Sequence, residues 1–124
     1  GGGIIFGPKP RDYSYSVPKK VRRAALKVAL STKIRENHFL IVDQISVERP
    51  KTKEMVGFLK NLGVSGKALI VLPEIDRNLA LSVRNLPGVK ALKVEGLNVY
   101  DLLYYEKVIS TPEAISQIEE TLAR

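Results

Sequence analysis

Apolar residues follow two alternating spacings along most of the chain. From residue 18 they recur every three or four positions, which predicts one long helix over residues 18–37. Residues 39–42 are instead a continuous apolar run, which is typical of a strand covered on both faces. The helical spacing returns at residues 52–62 and stops at Gly63, and a second apolar run occupies residues 68–72. This alternation predicts helices packed on a parallel sheet.

The alternation continues to the end of the chain. Asp76 is placed to cap a third helix, and residues 89–94 supply a third strand candidate. Asn98 begins a short capped turn, residues 108–109 are the last and shortest strand candidate, and Thr111 precedes a terminal helix. Together they predict an α/β fold, a three-layer α/β/α sandwich around a mainly parallel sheet of about four strands. The strand order does not follow from the pattern.

Residues 1–17 show neither spacing. They contain four glycines and two prolines, interleaved with cations and aromatic rings. We therefore expect an extended basic loop arm over residues 1–17, followed by a single globular α/β domain over residues 18–124. The chain opens on three glycines and its only methionine is Met55, so we also expect that a preceding segment has been removed.

Length and composition exclude several classes of protein. The 124 residues, 44% of them hydrophobic, suffice for one modest core. The absence of cysteine excludes disulfides, thiol nucleophiles and thiolate zinc sites, and it favours an intracellular protein. The longest apolar runs are far shorter than the roughly 20 residues needed to cross a bilayer, so no membrane-spanning segment is predicted.

The net charge of +7 is concentrated in one part of the sequence. Residues 1–38 contain nine lysines or arginines and two acids, whereas residues 39–124 contain 11 residues of each sign. A localised basic segment is typical of proteins that bind a polyanion. Nucleic acid is therefore the leading candidate partner, with an anionic membrane surface as the second.

Three acids follow predicted strands, where open α/β sheets place their ligands. Asp43 follows the first strand, and Glu74 and Asp76 follow the second. They suggest either a magnesium site for phosphoryl transfer or a helix cap at Asp76 with two solvated loop acids. No glycine-rich phosphate loop accompanies them, and the only histidine, His38, lies at a helix-to-strand junction typical of a surface or capping role. The second interpretation is favoured, and no metal or cofactor is predicted.

The basic segment gives the stronger indication of function. Four cations crowd the first turns of the predicted long helix, at the positive end of its dipole: Lys19, Lys20, Arg22 and Arg23. Cations are disfavoured there by roughly 0.3–1 kcal/mol each, and a bound polyanion would relieve that cost. The preceding arm combines cations with aromatic rings, which is what single-stranded or irregular RNA requires.

Several ordered segments resemble those of one family, the large-subunit ribosomal protein usually numbered four, in its bacterial form. They include GGGIIFGPKPR at residues 1–11, PKKVRRAAL at 18–26, PKTKE at 50–54, ALIVL at 68–72, RNLPGV at 84–89 and GLNVYD at 96–101. The resemblance covers essentially the whole chain. It implies a structural RNA-binding protein of the large ribosomal subunit, cytoplasmic and ribosome-associated, rather than an enzyme. Family members also carry an N-terminal region and a long basic loop, and this sequence lacks the first and most of the second.

The resemblance and the charge pattern together predict a set of RNA-contacting residues. These residues are Lys9, Arg11, Tyr13, Lys19, Lys20, Arg22, Arg23, Lys27, Lys51, Lys53, Arg84 and Asn85. The cations would neutralise phosphates and Tyr13 would stack on a base. For two pairs an alternative stays open, because Lys51 and Lys53 suit a solvated helix start and Arg84 and Asn85 suit a helix C-terminal cap.

The expected partners are large-subunit rRNA and neighbouring large-subunit ribosomal proteins. A free RNA-binding regulator that uses the same surface is the alternative function. Without the family's N-terminal region, part of the domain's apolar surface would be uncovered. The isolated chain is therefore expected to self-associate, or to be less stable than a chain with that region restored.

Overall fold

A computed structural model describes residues 18–45 and 52–123 of the chain. In these ranges the helices are Lys19–Arg35 (α1), Thr52–Asn61 (α2), Arg77–Arg84 (α3), Val99–Tyr104 (α4) and Pro112–Ala123 (α5). The strands are Phe39–Ile41 (β1), Ala68–Leu72 (β2), Val89–Lys93 (β3) and Lys107–Ser110 (β4), and a 3-10 helix, Val94–Gly96, follows β3. None of the described helices has the length and apolar character that a membrane crossing requires. The arm predicted at residues 1–17 lies outside the described residues.

The described strands form one parallel sheet in the order β1-β4-β2-β3. β4 lies between β1 and β2, and it pairs Val108 with Leu69 of β2 and with Phe39 of β1. The sequence pattern presented β4 as the shortest strand, but the structure shows that it has four residues and a central position. The three-residue β1 is the shortest strand, and it lies at an edge of the sheet.

Helices cover both faces of the sheet. β2 is buried at every position, and its alternate side chains point to opposite faces. Leu69 and Val71 pack in a core with α1, α4 and α5. Ala68, Ile70 and Leu72 pack in a second core with α2 and α3. These two cores confirm the predicted three-layer α/β/α sandwich.

Local capping signals in the sequence are realised in the structure. The Asp76 carboxylate accepts a hydrogen bond from the Leu79 backbone N–H at 2.7 Å, and Asn98 Oδ1 accepts one from the Asp101 backbone N–H at 2.8 Å. Gly63 has φ +74° and ends α2, and the backbone N–H groups of residues 63 and 64 donate to the carbonyl oxygens of residues 60 and 59. These two bonds are those of the Schellman motif. The helix boundaries therefore follow from short-range chemistry.

One expectation about burial is wrong. The run at residues 39–42 suggested a strand covered on both faces, but β1 is an edge strand and Ile41 is 59% exposed. The helical spacing from residue 18 also includes positions that do not reach the core, because Val21, Val28 and Ile34 are exposed while Ala29 and Leu30 are buried. These side chains form apolar surface that the described residues leave uncovered. Self-association of the chain stays a prediction.

α1 runs antiparallel to the strands. Only residues 36–38 connect it to β1, and Asn37 turns the chain there with a left-handed φ of 61°. Near the end of α1, the buried Lys33 donates hydrogen bonds to the carbonyl oxygens of Tyr105 at 2.6 Å and Glu106 at 3.0 Å. Residues 105 and 106 precede β4, so α1 ends near the N-terminal ends of the strands. The first turns of α1 consequently lie toward the C-terminal ends of the strands.

Candidate nucleic-acid interface

The first turns of α1 present a cluster of positive charge to solvent. The helix begins after Pro18, and no side chain in the described ranges caps its first N–H groups. We call five residues the α1 cationic surface: Lys19, Lys20, Arg22, Arg23 and Lys27. All of them are exposed except Arg23, which is half-buried. The structure therefore brings these five predicted residues together on one helix.

Three cations of this surface, Lys19, Lys20 and Arg22, are not neutralised by any carboxylate in the described part of the chain. Among the residues that the structure describes, Lys19, Lys20 and Arg22 form no ion pair, and the first turn of α1 contains no acid. The backbone N–H groups of Val21 and Arg22 donate to the Pro18 carbonyl oxygen, which leaves those of Lys19 and Lys20 without an intrahelical acceptor, and the helix dipole adds positive potential at the same place. Side chains and backbone can thus both bind the oxygens of a phosphate group.

An apolar groove adjoins the α1 cationic surface. It has a volume of about 500 Å³ and lies between α1 and the segment that leads into α4. Val21 and Leu26 line it from α1, Leu97 and Val99 line the facing wall, and Arg22 also contributes to the lining. Positive charge beside apolar surface can hold a phosphate together with the base or sugar of an irregular RNA.

The remaining predicted residues lie elsewhere. Lys53 is exposed in the first turn of α2, and Arg84 and Asn85 are exposed at the end of α3, so all three belong to the helices on the other face of the sheet. Asn85 occupies the C-cap position of α3, and the backbone N–H of the following Leu86 donates to the carbonyl oxygen of Val83 at 3.0 Å. This is the capping role that the sequence left open for it. Four predicted residues fall outside the described ranges: Lys9, Arg11, Tyr13 and Lys51.

The acids at the strand ends do not form a metal centre. Asp43, Glu74 and Glu113 line a shallow cavity of about 240 Å³, while Asp76 is occupied in capping α3. Across residues 18–45 and 52–123, no group of three histidine, cysteine or acidic residues has an arrangement that could hold a metal ion. His38 Nδ1 lies 3.5 Å from a Glu36 carboxylate oxygen. The geometry favours the interpretation of these acids as a cap and solvated loop residues.

Sequence reasoning counted Lys33 within the basic segment, but the structure removes it from the surface. Lys33 is 8% exposed and its ammonium group is held by the two carbonyl oxygens before β4. The signal that identifies it is its spacing, because Lys33 follows the buried Ala29 and Leu30 at four and three positions and so shares their helix face. The positive charge available for binding is therefore concentrated toward the start of α1.

The fold and this surface define a class: a three-layer α/β domain whose first described helix exposes several cations at its start, as polyanion-binding domains do. The sequence matches the model of the ribosomal protein L4/L1 family over residues 1–121, and the chain belongs to that family. The resemblance stated from the sequence is thereby confirmed. The family is one of structural ribosomal proteins, in agreement with the prediction that the chain is not an enzyme.

Several relatives are closely similar along the whole chain. The chain is 54% identical over 122 residues to the large ribosomal subunit protein uL4 of Thermoanaerobacter sp. (strain X514). It is 49% identical to the uL4 of Moorella thermoacetica and 50% identical to that of Brevibacillus brevis, each over 123 residues. These alignments cover 98–99% of the chain and 59% of each relative. The chain therefore spans about three fifths of the length of the relatives it matches.

Proposed function

We propose that the chain is a structural rRNA-binding part of a large-subunit ribosomal protein and that it anchors rRNA through the α1 cationic surface. The observation that carries the proposal is the exposure of Lys19, Lys20 and Arg22 in the first turns of α1, where no described carboxylate pairs with them. The relatives are all named as large ribosomal subunit proteins, which indicates the class of polyanion. A ribosome-associated, cytoplasmic location and contacts with neighbouring large-subunit proteins belong to the same proposal.

The binding mechanism has an electrostatic and a shape component. Exposed lysines and arginines replace the condensed counterions of RNA phosphates, and the release of those ions favours the complex, with a strong dependence on salt. A phosphate at the start of α1 also accepts hydrogen bonds from backbone N–H groups. The groove beside Arg22 adds a shape-dependent contact, which favours irregular RNA over a uniform duplex.

The fold explains why α1 stays helical in the free protein despite the unfavourable electrostatic energy of the cations in its first turns. Ala29 and Leu30 anchor the second half of α1 in the core, so the first half does not depend on favourable local electrostatics to stay helical. Tertiary packing supplies most of the stability of a helix in a protein. A bound phosphate reduces the repulsion among Lys19, Lys20 and Arg22, and this reduction favours the complex.

A binding experiment with matched variants tests the proposal. The α1 variant is K19Q/K20Q/R22Q, and Arg23 is retained because it is half-buried and has a further interaction. The control variant is R35Q/K60Q/K93Q, which removes the same number of exposed cations from outside the first turns of α1: one in its last turn, one in α2, and one in β3 that pairs with Glu74. Affinity for large-subunit rRNA is measured by filter binding between 50 and 300 mM salt, taken as roughly the range in which counterion release dominates.

The α1 variant is expected to bind rRNA more weakly, because it loses phosphate contacts. The slope of log K against log salt should fall by about 2 to 3, at roughly 0.7–0.9 for each of the three contacts. The control variant should keep nearly the affinity and slope of the unchanged chain. Equal losses in the two variants would show that charge alone, rather than its position on α1, determines binding.

A further inference from the structure

β1 is an edge strand, and its outer side has no partner strand among the described residues. On the inner side, the Val42 N–H donates to the Ser110 carbonyl oxygen at 2.9 Å, and the His38 carbonyl oxygen accepts from β4 at 2.7 Å. The even-numbered residues of this segment therefore face β4, because the backbone groups of a strand point alternately to its two sides. The N–H and C=O groups of Phe39 and Ile41 consequently point away from the sheet, and unpaired groups of this kind are a template for another strand.

An apolar groove of about 450 Å³ adjoins the outer side of β1. Ile34 and Ile41, on its walls, are 60% and 59% exposed. Contiguous exposed apolar surface of this kind marks interaction sites, whereas single exposed apolar residues do not. We call the apolar lining residues from α1, β1 and α5 the β1 groove: Leu30, Ile34, Phe39, Ile41, Ile115 and Ile118. The strand edge and the β1 groove thus suit an occupant that supplies both a strand and apolar side chains.

The other edge of the sheet lacks these features. The exposed lysines of β3 pair with acids, Lys90 with Asp101 at 3.0 Å and Lys93 with Glu74 at 3.5 Å. Exposed lysines protect an edge strand against pairing with another chain. β1 contains no charged residue, and only its length of three residues limits such pairing. β1 is therefore the edge that is open to a partner.

The charges on the two walls of the β1 groove favour a second copy of the chain as the occupant. Lys27 lies on the α1 wall and Glu119 on the α5 wall, and in the described ranges neither forms an ion pair. α1 ends near the N-terminal ends of the strands, whereas α5 begins directly after β4, at the C-terminal ends. A two-fold axis normal to the sheet reverses the direction of β1, so it places the α1 wall of one copy opposite the α5 wall of the other. Opposite charges then face each other twice across the interface.

We propose that two copies of the chain associate through an antiparallel pair of β1 strands, with the two-fold axis at Leu40. In this register Phe39 of each copy lies opposite Ile41 of the other, so every outward N–H and C=O group of the two strands is hydrogen-bonded. Phe39 packs in the core with α1 and α5, and Ile41, two residues further on, lies on the same face. The two β1 grooves consequently join into one apolar surface that the dimer buries.

This inference does not rest on the proposed function. α1 begins beside Leu97 and Val99, in the segment that follows β3 at the opposite edge of the sheet. The dimer interface therefore leaves the first turns of α1 accessible in both copies. All measurements of association are made without RNA, so their outcome is separate from that of the rRNA-binding experiment.

Sedimentation equilibrium at loading concentrations of about 5 to 500 μM, roughly the range of weak interfaces, measures the association. I41K places a charge in the joined grooves. V56K is the matched control, because Val56 is also an exposed apolar residue, at 47%, but lies on α2 at the other face of the sheet. The unchanged chain and V56K are expected to form a reversible dimer. The dissociation constant of I41K should be at least about 10-fold higher, as for the loss of a central interface residue.

Disulfide cross-linking tests the position of the two-fold axis, and it does not depend on the folding of I41K. The sequence contains no cysteine, so a single introduced thiol reports one position. L40C places two thiols across the axis, where the Cα atoms of opposed residues lie about 4.5 Å apart, within the range of a disulfide. A91C is the matched control, because Ala91 is the central residue of the other edge strand and is half-buried like Leu40. With oxidised glutathione as the oxidant, L40C should form a covalent dimer at least about 10-fold faster than A91C, since only its thiols are held together.

Several results would overturn the inference. A strictly monomeric unchanged chain would leave the β1 groove to a segment of the chain itself or to another large-subunit protein. Equal association of I41K and V56K, or equal cross-linking of L40C and A91C, would place the interface elsewhere. Species larger than a dimer would also contradict it, because a two-fold interface is closed. An intact dimer that fails to bind rRNA would instead remove only the proposed function.

Discussion

Neutralising the first turn of α1 should stabilise the free protein while it weakens RNA binding. Lys19, Lys20 and Arg22 lie at the positive end of the helix dipole, and that turn has neither an acid nor a side-chain cap among the described residues. Glutamine has nearly the helix propensity of lysine and arginine, so K19Q/K20Q/R22Q changes mainly the electrostatics. Function and stability are thus expected to respond in opposite directions.

The size of the stabilisation follows from the exposure of these side chains. A cation in the first turn costs about 0.3–1 kcal/mol at low ionic strength, and because all three side chains are exposed, solvent screening places each near the lower value. The free energy of unfolding should therefore rise by about 1 kcal/mol in total. For a domain of this size that corresponds to an increase in Tm of about 4 °C.

The gain in stability is measured by thermal and urea unfolding, with circular dichroism as the signal, in 20 mM and in 1 M salt. The Debye screening lengths at these concentrations are about 20 and 3 Å. The gain should be present at low salt and nearly absent at high salt. The control R35Q/K60Q/K93Q should not be stabilised, because Arg35 and Lys60 lie in the last turns of their helices, where cations are favourable. A stability gain that persists in 1 M salt, or a loss in the α1 variant, would refute the electrostatic account of this helix.

Two further predictions concern the scaffold. In α2, G57A should raise the free energy of unfolding by about 0.5–1 kcal/mol, because alanine favours a helix interior and nothing lies within 4 Å of the added carbon. G63A, at the end of the same helix, should lower the free energy of unfolding by about 1–2 kcal/mol, because the φ of +74° at Gly63 is strained for alanine. Urea unfolding of both variants measures these opposite changes. D101A should lower the free energy of unfolding by about 2 kcal/mol, because the buried Asp101 carboxylate accepts three hydrogen bonds and is also the acid in the first turn of α4. Equal stability of D101A and the unchanged chain would exclude these hydrogen bonds as a stabilising element.

Short-range chemistry made much of the fold predictable. Asp76 and Asn98 cap their helices because the accepting oxygen and the donating N–H lie three residues apart, a relation that sequence alone reveals. Gly63 ends α2 for a similar reason. The central position of β4 could not be predicted in this way, because it depends on which strand's side chains fit between β1 and β2, and that choice involves residues far apart in the chain.

The surface features of the domain also differ in how far the sequence predicts them. The charges of the α1 cationic surface are evident from residue type and helix dipole, and their exposure in the structure agrees with that expectation. The exposure of Tyr100 and Tyr104 was not predicted, because both residues lie in an apolar stretch that resembles core. Leu102 in the same helix is fully buried, and only the packing of α4 against α1 and the sheet determines which side chains remain outside.

The most direct test of rRNA anchoring by α1 is an acylation footprint of the lysines, measured by mass spectrometry on the free chain and on its complex with large-subunit rRNA. Lys19, Lys20 and Lys27 are exposed in the free domain and should become several-fold less reactive in the complex. Lys60 and Lys93, exposed on other elements, should react as they do in the free chain. Protection of Lys60 and Lys93 with unchanged reactivity along α1 would contradict the account.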